Sequence, residues 1–457
     1  MTSWWAQYAW LEGDRAEVGV LIETDGNRIV GVKRGVLDAP AGATQLPGVT
    51  IPGLVNSHSH AFHRALRGAT QAESGSFWTW RERMYAVAAR LQPDSYYRLA
   101  RATFTEMLLA GITTVGEFHY LHHDTDGVPY AKPTAMAEAI ASAASDAGIR
   151  LTILDTCYLV GGFGADSSEP HTPPSIVQQR FSDQTAAGWA KRATRTRERL
   201  TGARTRVGAA VHSVRAVPAD QLSAVAEWAH RNDAPIHAHV SEQPAEVEDC
   251  LRVYGKTPTQ HLAQFGVLDR TATAVHATHL TPDDVDALGR VNAFACFCTT
   301  TEADLADGIG PAVDLVNQSV RLTVGTDSQA VIDILGEARW LELGQRLATN
   351  RRGHFSAAQL LETATTNGAA SLGWKDLGSL SVGSLADFVT IALDSVRTAG
   401  FAADSILETV VFAAAPTDVT HVVVDGRLIV EDRVHPAFPD VSTELRESIS
   451  AVTTDAP

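Results

Sequence analysis

Between residues 51 and 329 two kinds of hydrophobic pattern alternate along the chain. Short apolar, β-branched runs fall at 51–60, 113–121, 150–159, 206–214, 235–242, 271–279, 292–300 and 321–329, as in RLTILDTCYL and RVGAAVHSV. Runs of this length with little polar alternation read as strands buried on both faces, the habit of a parallel sheet. Most are separated by Ala- and Leu-rich segments with helical spacing, such as TAMAEAIASAASDAG and ADQLSAVAEWAHRND. Strand–helix alternation repeated eight times predicts a parallel (β/α)8 barrel over 51–375, with helical pattern resuming at 334–371 to close it.

The two ends read differently. Residues 1–50 carry GVLIETDGNRIVGVKRGV, and 376–457 carry GSLSVGSLADFVTIAL and THVVVDGRLIVEDR. Asp25-Gly26 and Asp425-Gly426 are hairpin dipeptides, so one small β-sandwich domain built from 1–50 together with 376–457 is expected. At 457 residues and 45% hydrophobic content the chain can bury a large core beside a smaller one. The net charge of −16 argues against nucleic-acid or anionic-membrane partners and makes any arginine pair in a pocket more informative. No run of about 18 apolar residues predicts a membrane span, and MTSWWAQYAWLEG lacks the basic-then-apolar pattern of a signal peptide. Cys157, Cys250, Cys296 and Cys298 have no paired spacing suited to a disulfide framework, so reduced thiols and a cytoplasmic location are expected.

Histidine changes the picture most. Of 17 histidines, His58, His60, His63, His119, His122, His123, His212, His237, His239, His276 and His279 fall at or just past the ends of the predicted strands. A lone histidine is more often a hydrogen-bonded core residue. A set gathered at the rim where barrel active sites form points instead to a site. His58 and His60, one residue apart, face the same side of a strand. HAHVSE offers a third nitrogen after strand five, and VGTDS places Asp327 at the end of strand eight. Three imidazoles and a carboxylate suit zinc, although such donors also accept iron, manganese or cobalt. His237 sits deeper and reads as a packing residue, as does His279. His122 and His123 carry no assignment, and Trp78 and Trp80 read as packing residues shaping a lid.

With these motifs in view, the chain resembles the amidohydrolase superfamily over nearly its whole length, through PGLVNSHSH, HAHVSE, VHATH, VGTDS, GSLADFVTI and VVVDGRLIVEDR. The closer resemblance is to its formimidoylglutamate deiminase branch, through HSHAFHRALRG, SFWTWRERMY, GEFHYLHHDTDG, HSVRAV, TTTEADLADGIGPAVDL and EARWLELGQRL. That resemblance implies one zinc ion on His58, His60, His239 and Asp327, with Glu242 and His276 handling protons and Asp327 helping to hold the nucleophile. It implies that Arg81 and Arg215 bind the carboxylates of a small dicarboxylate substrate, with Tyr120 and His212 as hydrogen-bond donors. His63 would lie near the formimino group, where the branch usually has glutamine. Two-metal relatives use a lysine at the end of strand four. The five lysines here (Lys33, Lys132, Lys191, Lys256 and Lys375) all lie elsewhere, so one metal is expected. The implied reaction is hydrolytic deimination of N-formimino-L-glutamate to N-formyl-L-glutamate and ammonia in histidine degradation, by a homodimer. Two other readings compete. One is a deaminase or chlorohydrolase of the same superfamily acting on a purine, guanidino compound or triazine, whose pocket would be flat and apolar. The other is a non-catalytic barrel scaffold, which would be expected to have lost part of the ligand set.

Overall fold

In the computed structural model, which describes residues 1–71 and 77–453, eight parallel strands form one sheet in chain order: β1 (Leu54–Ser59), β2 (Ile112–His119), β3 (Arg150–Cys157), β4 (Thr205–Val211), β5 (Ile236–Val240), β6 (Ala272–His276), β7 (Phe294–Phe297) and β8 (Arg321–Val324). Each overlaps one predicted run. Strand β8 returns to β1 through a parallel bridge between Ser59 and Asp327, with Asp327 N–H donating to His58 O (3.0 Å) and His60 N–H to Asp327 O (3.2 Å). Glycine is required at 325 for this approach, since a Cβ there would lie 2.7–2.8 Å from the backbone O and N of His58. Buried side chains brace the same seam. Asn56 Nδ2 donates to Thr326 Oγ1 (2.6 Å), Thr326 N–H returns to Asn56 Oδ1 (3.0 Å), and Gln329 Nε2 donates to Ser59 Oγ (2.9 Å).

The helices cover the barrel as their periodicity dictates. Helix Ala135–Ala147 buries Met136, Ala137, Ile140, Ala143, Ala144 and Ala147, an i, i+3/i+4 face of mostly small residues that lets it lie close to the sheet. It stops at Gly148, whose φ of +90° is the left-handed cap conformation.

The β-rich ends form one seven-stranded sheet, ordered Arg427–Val430, Val419–Val424, Phe388–Ile391, Thr44–Pro52, Thr2–Ala9, Glu17–Asp25 and Arg28–Lys33. The sheet curls on itself, since Arg28 bridges Leu385 and Ile29 N–H donates to Ser384 O (2.9 Å). The curl encloses Trp4, Val20, Ile22, Ile29, Phe388 and Val423, with Trp4 edge-on to Phe388 at 5.4 Å. The Asp425-Gly426 turn has φ of +57° and +71°, both left-handed as a type I′ hairpin demands. A Cβ on Gly426 would collide with the carbonyl of Gly26, so the two hairpin tips touch. Strand Thr44–Pro52 runs into β1 with only Gly53 between them, so sheet and barrel share one ribbon. Among the described residues no helix is long and apolar enough to cross a membrane, and all four cysteines are buried free thiols.

One ion pair ties barrel to sheet at the end remote from the histidines. Arg150, first residue of β3, donates to Asp387 (2.8 and 2.9 Å) and to Asp425 (3.1 Å), and the side chains of Arg150 and Asp387 are both 0% exposed. Arg150→Ala strands a buried carboxylate, which costs about 3–5 kcal/mol. The variant is expected to show a lowered urea midpoint, while its folded fraction keeps wild-type turnover.

Candidate active site

The C-terminal ends of the strands open into a cavity of about 270 Å³. In β1, Ser59 faces away between two histidines, so both imidazoles turn inward and bring Nε2 to 3.2 Å (His58) and 3.3 Å (His60) from Asp327 Oδ1. His239, near the end of β5, sets its Nε2 3.1 Å from His58 Nε2. Two of the rings are fixed from behind, His60 Nδ1 on Phe118 O (2.9 Å) and His239 Nδ1 on His212 O (2.8 Å). A carbonyl only accepts, so these Nδ1 atoms carry the hydrogens and the Nε2 lone pairs face the centre. Burial lowers the pKa of His58 to about 3 and that of His239 well below the usual histidine range, keeping both neutral. Burial alone would raise Asp327, but its surroundings of imidazoles from His58 and His60 hold it well below the ordinary carboxylate range.

Lone pairs crowded beside a buried carboxylate repel one another unless a cation lies among them, and the donor set fits a borderline divalent metal. Ligand atoms of His58, His239, His276 and Asp327 lie within 4.8 Å of one another, as do those of His60, His63 and Asp327. The backbone around them is strained. Ser241 (φ +51°), His276 (+69°), Ala277 (+50°) and Asp327 (+40°) all adopt the left-handed region, at a cost of about 1–3 kcal/mol each.

His276, last residue of β6, lies between two carboxylates, with Nε2 3.7 Å from Glu242 Oε1 and Nδ1 3.4 Å from Glu302 Oε1. Burial would lower its pKa, but Glu242, Glu302 and Asp327 together raise it well above the usual value. Glu242 also accepts from Arg215 Nη2 at 3.2 Å, and Glu246 stands behind that guanidinium at 3.9 Å. Arg81 lines the cavity from helix Phe77–Arg90, its guanidinium 5.5 Å from the centre of the Tyr85 ring. Tyr120 Oη lies 3.0 Å from His63 Nε2, and the His212 ring stands edge-on to Tyr158 at 4.5 Å. The structure therefore gathers every predicted site residue around one cavity, with His58 just beneath its wall.

Other rim histidines turn elsewhere. His237 Nε2 bonds Ser371 O (2.9 Å), His279 Nε2 bonds Asp307 O (2.8 Å), His122 Nε2 bonds Thr156 O (2.9 Å), and His123 contacts Asp183 (3.1 Å). Trp80 packs edge-on to His63 at 5.1 Å, whereas the Trp78 side chain lies outside the described residues. Several contributors escaped the sequence reading. Tyr85, Tyr158 and Phe181 wall the cavity. Glu117 accepts from Ser59 Oγ (2.8 Å) and Ala61 N–H (2.7 Å), bracing the histidine strand, and burial raises its pKa to about 7. An acid inside the apolar run TTVGEFHYL was the available signal for it.

The model of the family described as "Amidohydrolase family" matches residues 49–429. The chain belongs to the amidohydrolase family. Formimidoylglutamate deiminase of Pseudomonas aeruginosa, a curated relative, is 40% identical over 404 residues, 86% of this chain and 87% of that one. The 5-methylthioadenosine/S-adenosylhomocysteine deaminase of Haloarcula marismortui is 27% identical over 96% of this chain and 94% of its own. A solved amidohydrolase from Brucella melitensis superposes with a TM-score of 0.90 at 32% identity, covering 99% of this chain and 100% of that one. This amidohydrolase is thus a hydrolase acting on C–N bonds.

Substitution can separate inward-facing rings from packing rings. His239→Asn is expected to lower bound divalent metal, read by elemental analysis, by more than the roughly 10- to 100-fold that loss of an outer partner costs. His237→Asn, two residues before His239 but with its Nε2 turned to Ser371 O, should keep its metal.

Proposed function

We propose that the protein hydrolyses N-formimino-L-glutamate to N-formyl-L-glutamate and ammonia, as a step of histidine degradation, using one divalent metal, best zinc, on His58, His60, His239 and Asp327. The observation that carries this reading is the pair of guanidinium groups, Arg81 and Arg215, in the same cavity as the histidine–aspartate cluster and Glu242. Arginine's planar fork matches a carboxylate with two parallel bonds. The 40% identical relative bearing the formimidoylglutamate deiminase name supports the same substrate, and four buried free thiols agree with a reducing, cytoplasmic setting.

A divalent ion at the cluster would supply Lewis acidity and bring the pKa of water to about 7. The rest of the work falls to side chains. Glu242 and Arg215 neutralise each other at 3.2 Å before substrate enters. A substrate carrying both a carboxylate and an amidinium offers each of them a new partner, so one ion pair is exchanged for two. Glu242 then faces the formimino nitrogen, and once it has received from His276 the proton that water loses, it can pass that proton on so that ammonia leaves. His276 Nε2, 3.7 Å from Glu242, accepts the proton lost by water as its oxygen bonds the formimino carbon. Tyr120 and His63, joined at 3.0 Å, border the same space as hydrogen-bonding groups.

The aromatic wall of Tyr85, Tyr158 and Phe181 would also accept a flat heterocycle, the substrate type of other deaminases in the family, but a neutral ring offers no carboxylate to the two guanidinium groups that border the cavity. Ammonia release from formiminoglutamate by the metal-loaded protein tests the reading directly. Turnover of an aminopurine with none of formiminoglutamate would defeat it. Arg81→Met and Arg215→Met should each raise KM about 10- to 150-fold, the equivalent of one lost charged hydrogen bond at about 1.5–3 kcal/mol, with metal content unchanged. Glu242→Gln should lower kcat about 10²- to 10⁴-fold, again with metal retained, and near-normal turnover in that variant would remove Glu242 from the mechanism.

A further inference from the structure

Behind His276, on the side away from the cavity, stands Glu302. It lies on the short helix Thr299–Asp304 that follows β7, and the residue is 3% exposed. Its Oε1 accepts the backbone N–H of Cys298 at 2.8 Å and lies 3.4 Å from His276 Nδ1. An ionised carboxylate can only accept, so this contact fixes a hydrogen on Nδ1 and leaves Nε2, the nitrogen turned toward Glu242, as the one that gains and loses a proton. The ring has little freedom to do otherwise. It stacks on His239 at 5.6 Å and 15°, and its left-handed backbone is pinned by Ala277 N–H donating to Val240 O at 3.0 Å.

We propose that Glu302 is a positioning residue for the hydrolysis: it holds His276 in the tautomer whose Nε2 can take a proton, and it balances the imidazolium that results. The inference rests on the assignment of His276 as a proton-handling group made above. In the step concerned, a proton leaves the attacking water for Nε2 while the water oxygen bonds the substrate carbon. His276 then carries a positive charge that Glu302 faces without taking up a proton itself. The logic is that of the buried carboxylate behind a general-base histidine in hydrolases of unrelated fold. Glu302 touches neither substrate nor reacting atoms. It acts through the ring.

Burial explains why the arrangement is sharp. Burial raises the carboxyl of Glu302, while the hydrogen bonds from His276 and from Cys298 N–H pull it back. A carboxylate so enclosed needs a compensating charge nearby, and the imidazolium supplies one at the moment it forms. A rival role exists, because ligand atoms of His276, Cys298 and Glu302 also lie close enough together to hold a metal. That role would require a second equivalent of metal per chain, whereas the positioning role requires only the one held by the histidine–aspartate cluster.

Two variants separate these roles. Glu302→Gln keeps an oxygen where both contacts converge and removes only the charge, whereas Glu302→Ala removes the contacts as well. With one metal per chain retained and KM for formiminoglutamate within about twofold, Glu302→Gln should lose about 10²-fold or more in kcat. Glu302→Ala should lose more, and its crystal structure should show the His276 ring rotated. Wild-type kcat in Glu302→Gln would overturn the proposal, and so would an unmoved ring in Glu302→Ala. Loss of a second equivalent of metal in either variant would overturn it in favour of the ligand role. If the wild-type protein turns over another amidine or aminopurine and not formiminoglutamate, the substrate reading fails while the same kcat ratio, taken on that substrate, and the ring position still decide for or against Glu302.

Discussion

Two backbone hydrogen bonds, from Asp327 N–H to His58 O and from His60 N–H to Asp327 O, stitch the last barrel strand to the first. They bring the H-x-H pair of one strand and the aspartate of the other, 267 residues later, into a single donor set. Because side chains alternate along a strand, a slip of one residue at this seam would turn Ser59 inward and both histidines outward. So short a ladder holds its register weakly by itself. The buried bonds of Asn56 with Thr326 and of Gln329 with Ser59 add side-chain specificity, and Gly325 admits the close approach that any Cβ would block.

The site concentrates imidazole and carboxylate groups where neither is easily solvated. Each is made tolerable by a particular neighbour: carbonyls behind His60 and His239, imidazoles around Asp327, Arg215 beside Glu242, and Glu302 behind His276. The left-handed residues at the ends of β5, β6 and β8 belong to the same economy. Strain in the backbone aims His276 and Asp327 inward, and the closed barrel beneath supplies the rigidity that holds it.

Much of this was legible in the chain. The eight apolar runs gave the barrel strands because continuous hydrophobicity over four to eight residues has few other causes, and the hairpin dipeptides marked the β-rich ends. The histidine cluster was legible because it recurs at equivalent positions of a repeating unit. Other features left a fainter trace or none. Glu117 is one acid within a buried strand. Tyr158 and Phe181 sit in connections whose path no periodicity describes. That Arg215 faces Glu242, and that Glu302 backs His276, are consequences of how strands four to seven lie side by side, which composition and spacing do not encode. His237 shows the opposite limit: it shares a strand face with His239 yet points its Nε2 at Ser371 O, because it lies one layer deeper.

The pairing of strand Thr44–Pro52 with Phe388–Ile391 has a consequence for biogenesis. Val49 meets Ile391 and Ile51 meets Val389, so the ribbon that leads into β1 lacks this neighbour until some 340 further residues have left the ribosome. At about 5–20 residues per second that is a wait on the order of tens of seconds, during which an apolar edge stands open. A nascent chain of this design has reason to be chaperoned until strand Phe388–Ile391 is available to cover that edge.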